Sequence, residues 1–215
     1  MQDEAPFSDI LSAAADEPGL RKGERTRLRL MAATAGLLQE TFFHNLRIVD
    51  ICSHAGVSQG TFYLYFKDKM DVATATLSRF AHHVFELMRL AGRGHPDLPA
   101  AVHATTLVYV RQFHLNRGLL RCLMQMTEES AQFEEIYRSL NGTWNLRTAE
   151  AIARRQGTKG GATPEQIMTV YAMGGMVDEF LANLYVRNDP ALVAHAGPPE
   201  QVADLLSSLW IRAVL

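Results

Sequence analysis

Apolar residues recur at helical spacing along almost the whole chain. Leu28, Met31, Ala35, Leu38 and Phe42 are separated by 3, 4, 3 and 4 residues, which places them on one face of an α-helix. Met70, Ala73, Leu77, Phe80, Val84, Leu87 and Ala91 repeat that spacing without a break and predict a longer helix, with Asp68 as its N-cap and Asp71 in its first turn. Gly92-Arg93-Gly94-His95-Pro96 stops it. Val102, Thr106, Tyr109 and Phe113 predict the next helix, and residues 119–126 a shorter one. Residues 128–156 read as one long helix or two, with Phe133, Ile136, Tyr137, Leu140 and Trp144 on one face and Asn141-Gly142 as the place for a kink. After the loop at 157–161, Thr163 is an N-cap, Pro164 takes the first helical position and Gln166 completes a capping box for a helix reaching about Arg187. Val202, Leu205, Leu206 and Leu209 mark a final helix. No alternating strand pair and no internal repeat interrupts this pattern, so the expected fold is all-α.

Between residues 46 and 69 the pattern shortens. Ile48, Ile51 and Cys52 lead into Ala55-Gly56-Val57-Ser58, and a second short helix follows with small polar residues first and aromatic residues after. Gly56 suits the left-handed residue that reverses the chain between two crossed helices, Val57 plugs their angle, and Ser58 is a good N-cap. This is the outline of a helix-turn-helix, whose second helix lies in the DNA major groove. An ordinary αα-corner shares the outline, but turn, cap, apolar spacing and nearby basic residues agree on the DNA-reading form.

Charge strengthens this reading once it is divided along the chain. The net −2 splits into −5 for residues 1–20, +4 for 21–69 and −1 for 70–215. Basic charge is therefore concentrated where phosphate attraction requires it. Residues 1–20 form an acidic, weakly ordered extension, in which Phe7, Ile10 and Leu11 could make one docked apolar turn. The N-terminal MQDEAPFSDI lacks the features of a signal peptide and no apolar run approaches the ~20 residues needed to span a bilayer, so a cytoplasmic protein without membrane contact is expected. Cys52 and Cys122 sit in apolar helical patterns with no metal spacing around them, and no metal or other cofactor is expected.

The run AGVSQGTFYLYFKDK resembles the signature of the TetR family of transcriptional regulators, with the specific likeness covering about residues 25–80. The resemblance implies an N-terminal three-helix helix-turn-helix DNA-binding domain (21–69), joined by a long helix to a C-terminal helical ligand-binding and dimerisation bundle within 70–215. It implies that Ser58 caps the recognition helix and that Gln59, Gly60 and Thr61 face base edges. The chemistry agrees, since Gln pairs with adenine and Thr contacts a base or a methyl group. Tyr63 and Tyr65 would set hydroxyls against phosphates, Lys69 would contact a phosphate, and Phe62 and Phe66 would pack inward. The chain departs from the family at Leu46-Arg47, where Ser or Thr is common; Asn45 is a substitute cap, and Arg47 either reaches a phosphate or stays solvated. Arg21, Lys22, Arg25, Arg27 and Arg29 form a basic cluster, with Arg21 and Lys22 in an arm suited to a minor groove.

The same resemblance implies a homodimer that binds a double-stranded DNA operator and a small, largely apolar effector. Candidate ligand-binding residues are Phe113, Leu120, Met124, Phe133, Tyr137, Trp144, Met168 and Tyr171, with His103 and His114 as polar contacts and Asp178-Glu179 for a cationic ligand or partner chain. For any one of the apolar residues a filled core is the stronger reading, for the histidines a surface or satisfied core position, and for Asp178-Glu179 a solvated face or an interface salt bridge. Gly174, Val177, Leu181 and Leu184, with Val202, Leu205, Leu206 and Leu209, make the expected dimer surface, a four-helix bundle across a twofold axis. The function expected is a ligand-responsive regulator, a repressor released from a palindromic operator. The alternatives are a regulator with a closed core, acting through dimerisation or a protein partner, and an enzyme on a similar fold. Against the enzyme, no GxSxG, HExxH or phosphate loop is present and no catalytic residue is assigned.

Overall fold

The computed structural model describes residues 5–215, and among them there are helices and no strands. In chain order the helices are α1 (Phe7–Ala15), α2 (Lys22–Glu40), α3 (Ile48–Ala55), α4 (Gln59–Phe62), α5 (Lys69–Ala91), α6 (Leu98–Leu115), α7 (Arg117–Glu129), α8 (Ala131–Arg155), α9 (Pro164–Leu181), α10 (Pro190–Val193) and α11 (Pro199–Val214). A 3₁₀ turn, Phe43–Asn45, precedes α3, and a π-helical turn, Ala182–Val186, extends α9. The chain forms two compact units. The described residues of the first are 5–81 and 115–134; the second comprises 82–114 and 135–215. Helix α5 runs through the boundary, and α7 belongs with the N-terminal elements, not with the C-terminal bundle expected from the sequence.

In the first unit the acidic extension carries a helix where weak order was expected. Phe7, Leu11 and Ala15 of α1 are buried, the Phe7 ring tilts against Phe80 at 5.3 Å, and the Phe7 N–H donates to the Asn116 side chain at 2.8 Å. Three buried apolar residues at spacing 4 and 4 are enough to dock a nine-residue helix that would be marginal alone.

Helices α2 and α7 cap each other. The Gln39 side chain accepts from the backbone N–H of Gly118 and Leu119 at 2.9 and 3.1 Å and donates to the Leu115 carbonyl at 2.6 Å. Those N–H groups are the unpaired donors of the first turn of α7, so Gln39 does the work of an N-cap that Asn116, engaged by α1, does not. In return Arg121 Nη2 donates to the carbonyls of Leu38 and Thr41, at 3.2 and 2.9 Å, at the C-terminal end of α2, and its guanidinium covers the Phe42 ring at 4.3 Å. The approach requires Gly118. A Cβ there would lie 2.3 Å from Gln39 Cα and 2.5 Å from the Leu38 carbonyl oxygen.

In the second unit Leu98, Ala149, Ile152, Val170 and Val214 form a core cluster, with Val102, Ala162, Ile167 and Trp210 packed against it. The capping box of α9 forms as expected, Thr163 accepting from the Gln166 N–H and Gln166 from the Thr163 N–H. Helix α8 is continuous through Asn141-Gly142, so the alternative of two helices is set aside.

The dimer stripe needs correction. Val177, Leu181, Leu184, Val202 and Leu206 are buried within their own chain. Of the expected surface, Leu205 is half exposed and Leu209 and Gly174 are partly covered. The apolar side chains that α9 exposes are Met168 and Tyr171, beside Ala172, Gly175 and Met176. The stripe was misplaced because α9 is apolar on more than one face, so periodicity could not say which face the chain covers itself.

Candidate DNA-reading face and effector cavity

The reading motif is built locally. Gly56 ends α3 at φ 67° and ψ 35°, the left-handed conformation that favours glycine, and lets the chain turn into α4. The Ser58 hydroxyl accepts from the Thr61 N–H at 3.1 Å and lies 3.0 Å from the Thr61 hydroxyl. Phe62 and Phe66 are buried, and Arg27 covers the Phe66 ring at 5.1 Å. Burying these two rings turns the other face of α4 outward, with Ser58, Gln59, Gly60 and Tyr63 exposed. Thr61 and Tyr65 are partly covered, and the Tyr65 hydroxyl packs on Gly23 of α2. Leu64, to which the sequence pattern assigns no role, is 80% exposed on this turn, the largest exposure of any bulky apolar side chain among the described residues.

The basic residues divide into free and engaged. Arg21 and Lys22 stand exposed at the start of α2. Arg25 donates through Nε to the Ala15 carbonyl at 3.2 Å, and Arg29 pairs with Asp16 at 3.1 Å, so the extension holds part of the basic cluster. Arg47 grips Asp50 through two hydrogen bonds of 2.7 and 2.9 Å and holds that carboxyl below its ordinary value. Neither Asn45 nor Arg47 caps α3 with its side chain; Asp50 in the first turn offsets the helix dipole there instead. Lys69 is committed inward. Its Nζ donates to the carbonyls of Phe43 and His44 at 3.3 and 3.0 Å and lies 4.9 Å from the centre of the Phe43 ring.

The second unit contains a cavity of about 1040 Å³. Its apolar wall includes Phe85 stacked on Trp144 at 5.4 Å, with Val102, Ile152, Val177 and Trp210. Arg89, Arg93, Arg147, Arg154 and Arg155 also line it. Within the wall, Tyr109 donates to Asp178 Oδ1 at 2.6 Å. Asp178 keeps partial accessible surface because it faces the cavity, while the protein around it removes bulk solvent. That desolvation pushes its pKa up to about 6, against the opposing Tyr109 hydrogen bond. Burial and the Asp178 charge push the phenols of Tyr109 and Tyr137 upward.

Of the eight expected ligand residues, Tyr137 and Trp144 line this cavity, joined by Gly174 and Val177 from the expected dimer set. Leu120, Met124 and Phe133 fall in the first unit, Phe113 is buried away from the cavity, and Met168 and Tyr171 are exposed. The histidines are elsewhere: His103 Nε2 meets Asp204 at 2.8 Å, and the His114 ring stands edge-on to Tyr185. Asp178, read as a solvated or interface charge, faces the cavity; only Glu179, paired with Arg187, sits at the surface as expected. Both cysteines are buried, and burial raises the Cys122 thiol to about 12, consistent with packing. Among the described residues no group of three or more His, Cys, Asp or Glu could hold a metal ion, and no helix is long and apolar enough to cross a membrane.

A capped recognition helix with an exposed polar face, on a motif carrying basic residues, defines a DNA-binding transcriptional regulator of the helix-turn-helix class. Residues 30–76, which hold the helix-turn-helix, match the sequence model described as bacterial regulatory proteins, tetR family. The chain is similar to the HTH-type transcriptional regulator EthR of Mycobacterium tuberculosis, 21% identical over 218 residues that cover 95% of this chain and 98% of that one. Its fold is that of a tetR-family regulator from Streptomyces coelicolor, with TM-score 0.73, 16% identity and 88% and 80% of the two chains covered. The regulator FadR from Bacillus subtilis, solved in complex with stearoyl-CoA, matches with TM-score 0.68 and 16% identity over 85% of this chain and 96% of that one. These relatives are regulators, not enzymes.

Proposed function

We propose that this protein is a cytoplasmic homodimeric repressor, with a DNA-binding domain centred on residues 21–69, which leaves a palindromic operator when an amphipathic, anionic effector enters the cavity of the second unit. The observation that carries the effector reading is the composition of that cavity. An apolar, aromatic interior takes a hydrocarbon chain, and five arginines in the same wall take an anionic head. The stearoyl-CoA bound by FadR has this chemistry. Gln59, Gly60 and Thr61 read bases, with Tyr63, Tyr65, Arg21 and Lys22 on the sugar-phosphate backbone. Arg25 and Arg47 reach phosphates only after leaving their present partners. Lys69 acts indirectly, by holding the 3₁₀ turn in front of α3.

The exposed residues Met168, Tyr171, Ala172 and Gly175 lie on one face of α9, and with Leu205 of α11 they supply the dimer surface. Two reading heads about 34–36 Å apart then address successive turns of one DNA face. Effector binding lowers DNA affinity by favouring a state with a different head spacing. Helix α5 is the covalent link, since it begins beside the reading motif and contributes Phe85, Met88 and Arg89 to the cavity wall.

Selection of bound sequences from random duplex DNA tests the reading head. The wild type should enrich a palindrome that a Gln59→Ala, Thr61→Ala variant loses or alters. Enrichment of a single half-site, or an identical sequence from both proteins, would contradict it.

A further inference from the structure

The cavity carries a polar station that a plain hydrocarbon chain would leave unsatisfied. Asp178 on α9 accepts from Tyr109 through Oδ1 only; among the described residues nothing donates to Oδ2. Asn145 on α8 is only 6% exposed, lines the same cavity, and makes no hydrogen bond to any described residue. Gly174, one turn before Asp178 on α9, packs against Asn145: a Cβ there would stand 3.7 Å from its Oδ1. An acceptor oxygen on α9 and an amide on α8 thus line the same wall as Phe85, Trp144 and Val177, with Gly174 linking the two helices at that point.

A bare alkyl chain laid over these groups would strip their water and give nothing back, which is costly for an amide and more so for a carboxylate. A hydroxyl satisfies both groups: it donates to Asp178 and accepts from the Asn145 amide. An ammonium could also donate to Asp178, but the wall's five arginines outnumber its two carboxylates, Glu150 and Asp178, and oppose a cation. We infer that the effector is an anionic amphiphile whose apolar chain bears a hydroxyl group, received by Asp178 and Asn145. This inference rests on the effector reading above and narrows it, because chain length and anionic head are shared by plain and hydroxylated acids and only the station tells them apart.

The test uses the full-length protein and calorimetric titration with decanoate, 3-hydroxydecanoate, 10-hydroxydecanoate and decylamine. At least one hydroxy acid should bind the wild type roughly tenfold or more tightly than decanoate, the range expected for a hydrogen bond to a charged group. In Asp178→Leu and in Asn145→Leu that preference should fall to within about twofold, and decanoate itself should bind Asp178→Leu more tightly than wild type. Asp178→Asn, which keeps shape and an acceptor for Tyr109, should retain part of the preference and serves if the leucine variant does not fold. Equal binding of decanoate and both hydroxy acids to the wild type would overturn the inference while leaving the effector reading intact. Tighter binding of decylamine than of any acid, or binding of no acid at all, would overturn both.

Discussion

Replacing Gly118 with alanine should loosen the reciprocal caps of α2 and α7 and cost more than any other glycine change inside a helix of the first unit. The added Cβ would meet Gln39 Cα at 2.3 Å, the Leu38 carbonyl oxygen at 2.5 Å and the Gln39 carbonyl oxygen at 2.6 Å. All three are backbone atoms, so no side chain can swing away. Overpacking of this kind costs about 1–3 kcal/mol. Separating the helices also stretches the hydrogen bonds of Gln39 to Gly118, Leu119 and Leu115, each contributing about 0.5–1.5 kcal/mol. A total loss of about 2–5 kcal/mol lowers the melting temperature of a chain this size by roughly 5–15 °C, measured by circular dichroism or calorimetry. Gly36→Ala is the internal control: its Cβ meets nothing nearer than Ser8 Cβ at 4.0 Å, so it should leave stability unchanged or raise it by up to about 1 kcal/mol. A Gly118→Ala protein that melts with the wild type would refute the close approach of α2 and α7.

The remaining predictions concern three other groups. Asp178 has a pKa of about 6 when folded against about 3.9 unfolded, so its ionisation opposes folding by up to about 3 kcal/mol above pH 7, and the penalty fades as pH falls from 6 to 4. Asp178→Asn should therefore be more stable than wild type at pH 7.5 and equal to it near pH 4; an equal loss of stability at both pH values would refute the desolvated carboxylate. Lys69→Met should lower the melting temperature, through loss of about 1–3 kcal/mol of charged hydrogen bonds, yet leave the salt dependence of DNA binding unchanged. A decrease of about one in the salt slope would instead make Lys69 a phosphate ligand. Tyr171→Arg with Leu205→Arg should give a folded monomer by analytical ultracentrifugation, and a dimer that persists would place the interface elsewhere.

What the sequence revealed follows how local each feature is. The turn at Gly56, the Ser58 cap, the Thr163–Gln166 box and the long α5 were legible because neighbouring residues decide them. The cavity was not, because spacing shows which residues share a face without showing what that face meets. Phe133, Tyr137 and Trp144 read as one stripe, yet Phe133 is buried in the first unit while the other two line the cavity of the second. The arginines of the wall come from α8, the end of α5 and the loop after it, and no short window of sequence contains them together. Asp178 did leave a signal, a carboxylate interrupting an apolar helix, but its meaning depended on Tyr109 sixty-nine residues away. Likewise the engagement of Arg25, Arg47 and Lys69 depended on partners that composition cannot assign.

The most direct measurement is the release of DNA by an effector. A fluorescently labelled duplex enriched by selection is bound to the full-length protein and titrated with stearoyl-CoA below its micellar range, with coenzyme A alone as the comparison, while anisotropy is followed. The account predicts that anisotropy falls to the value of free DNA with the acyl thioester and stays unchanged with coenzyme A. A protein–DNA complex that remains intact at concentrations of stearoyl-CoA shown by thermal shift to bind the protein would contradict it.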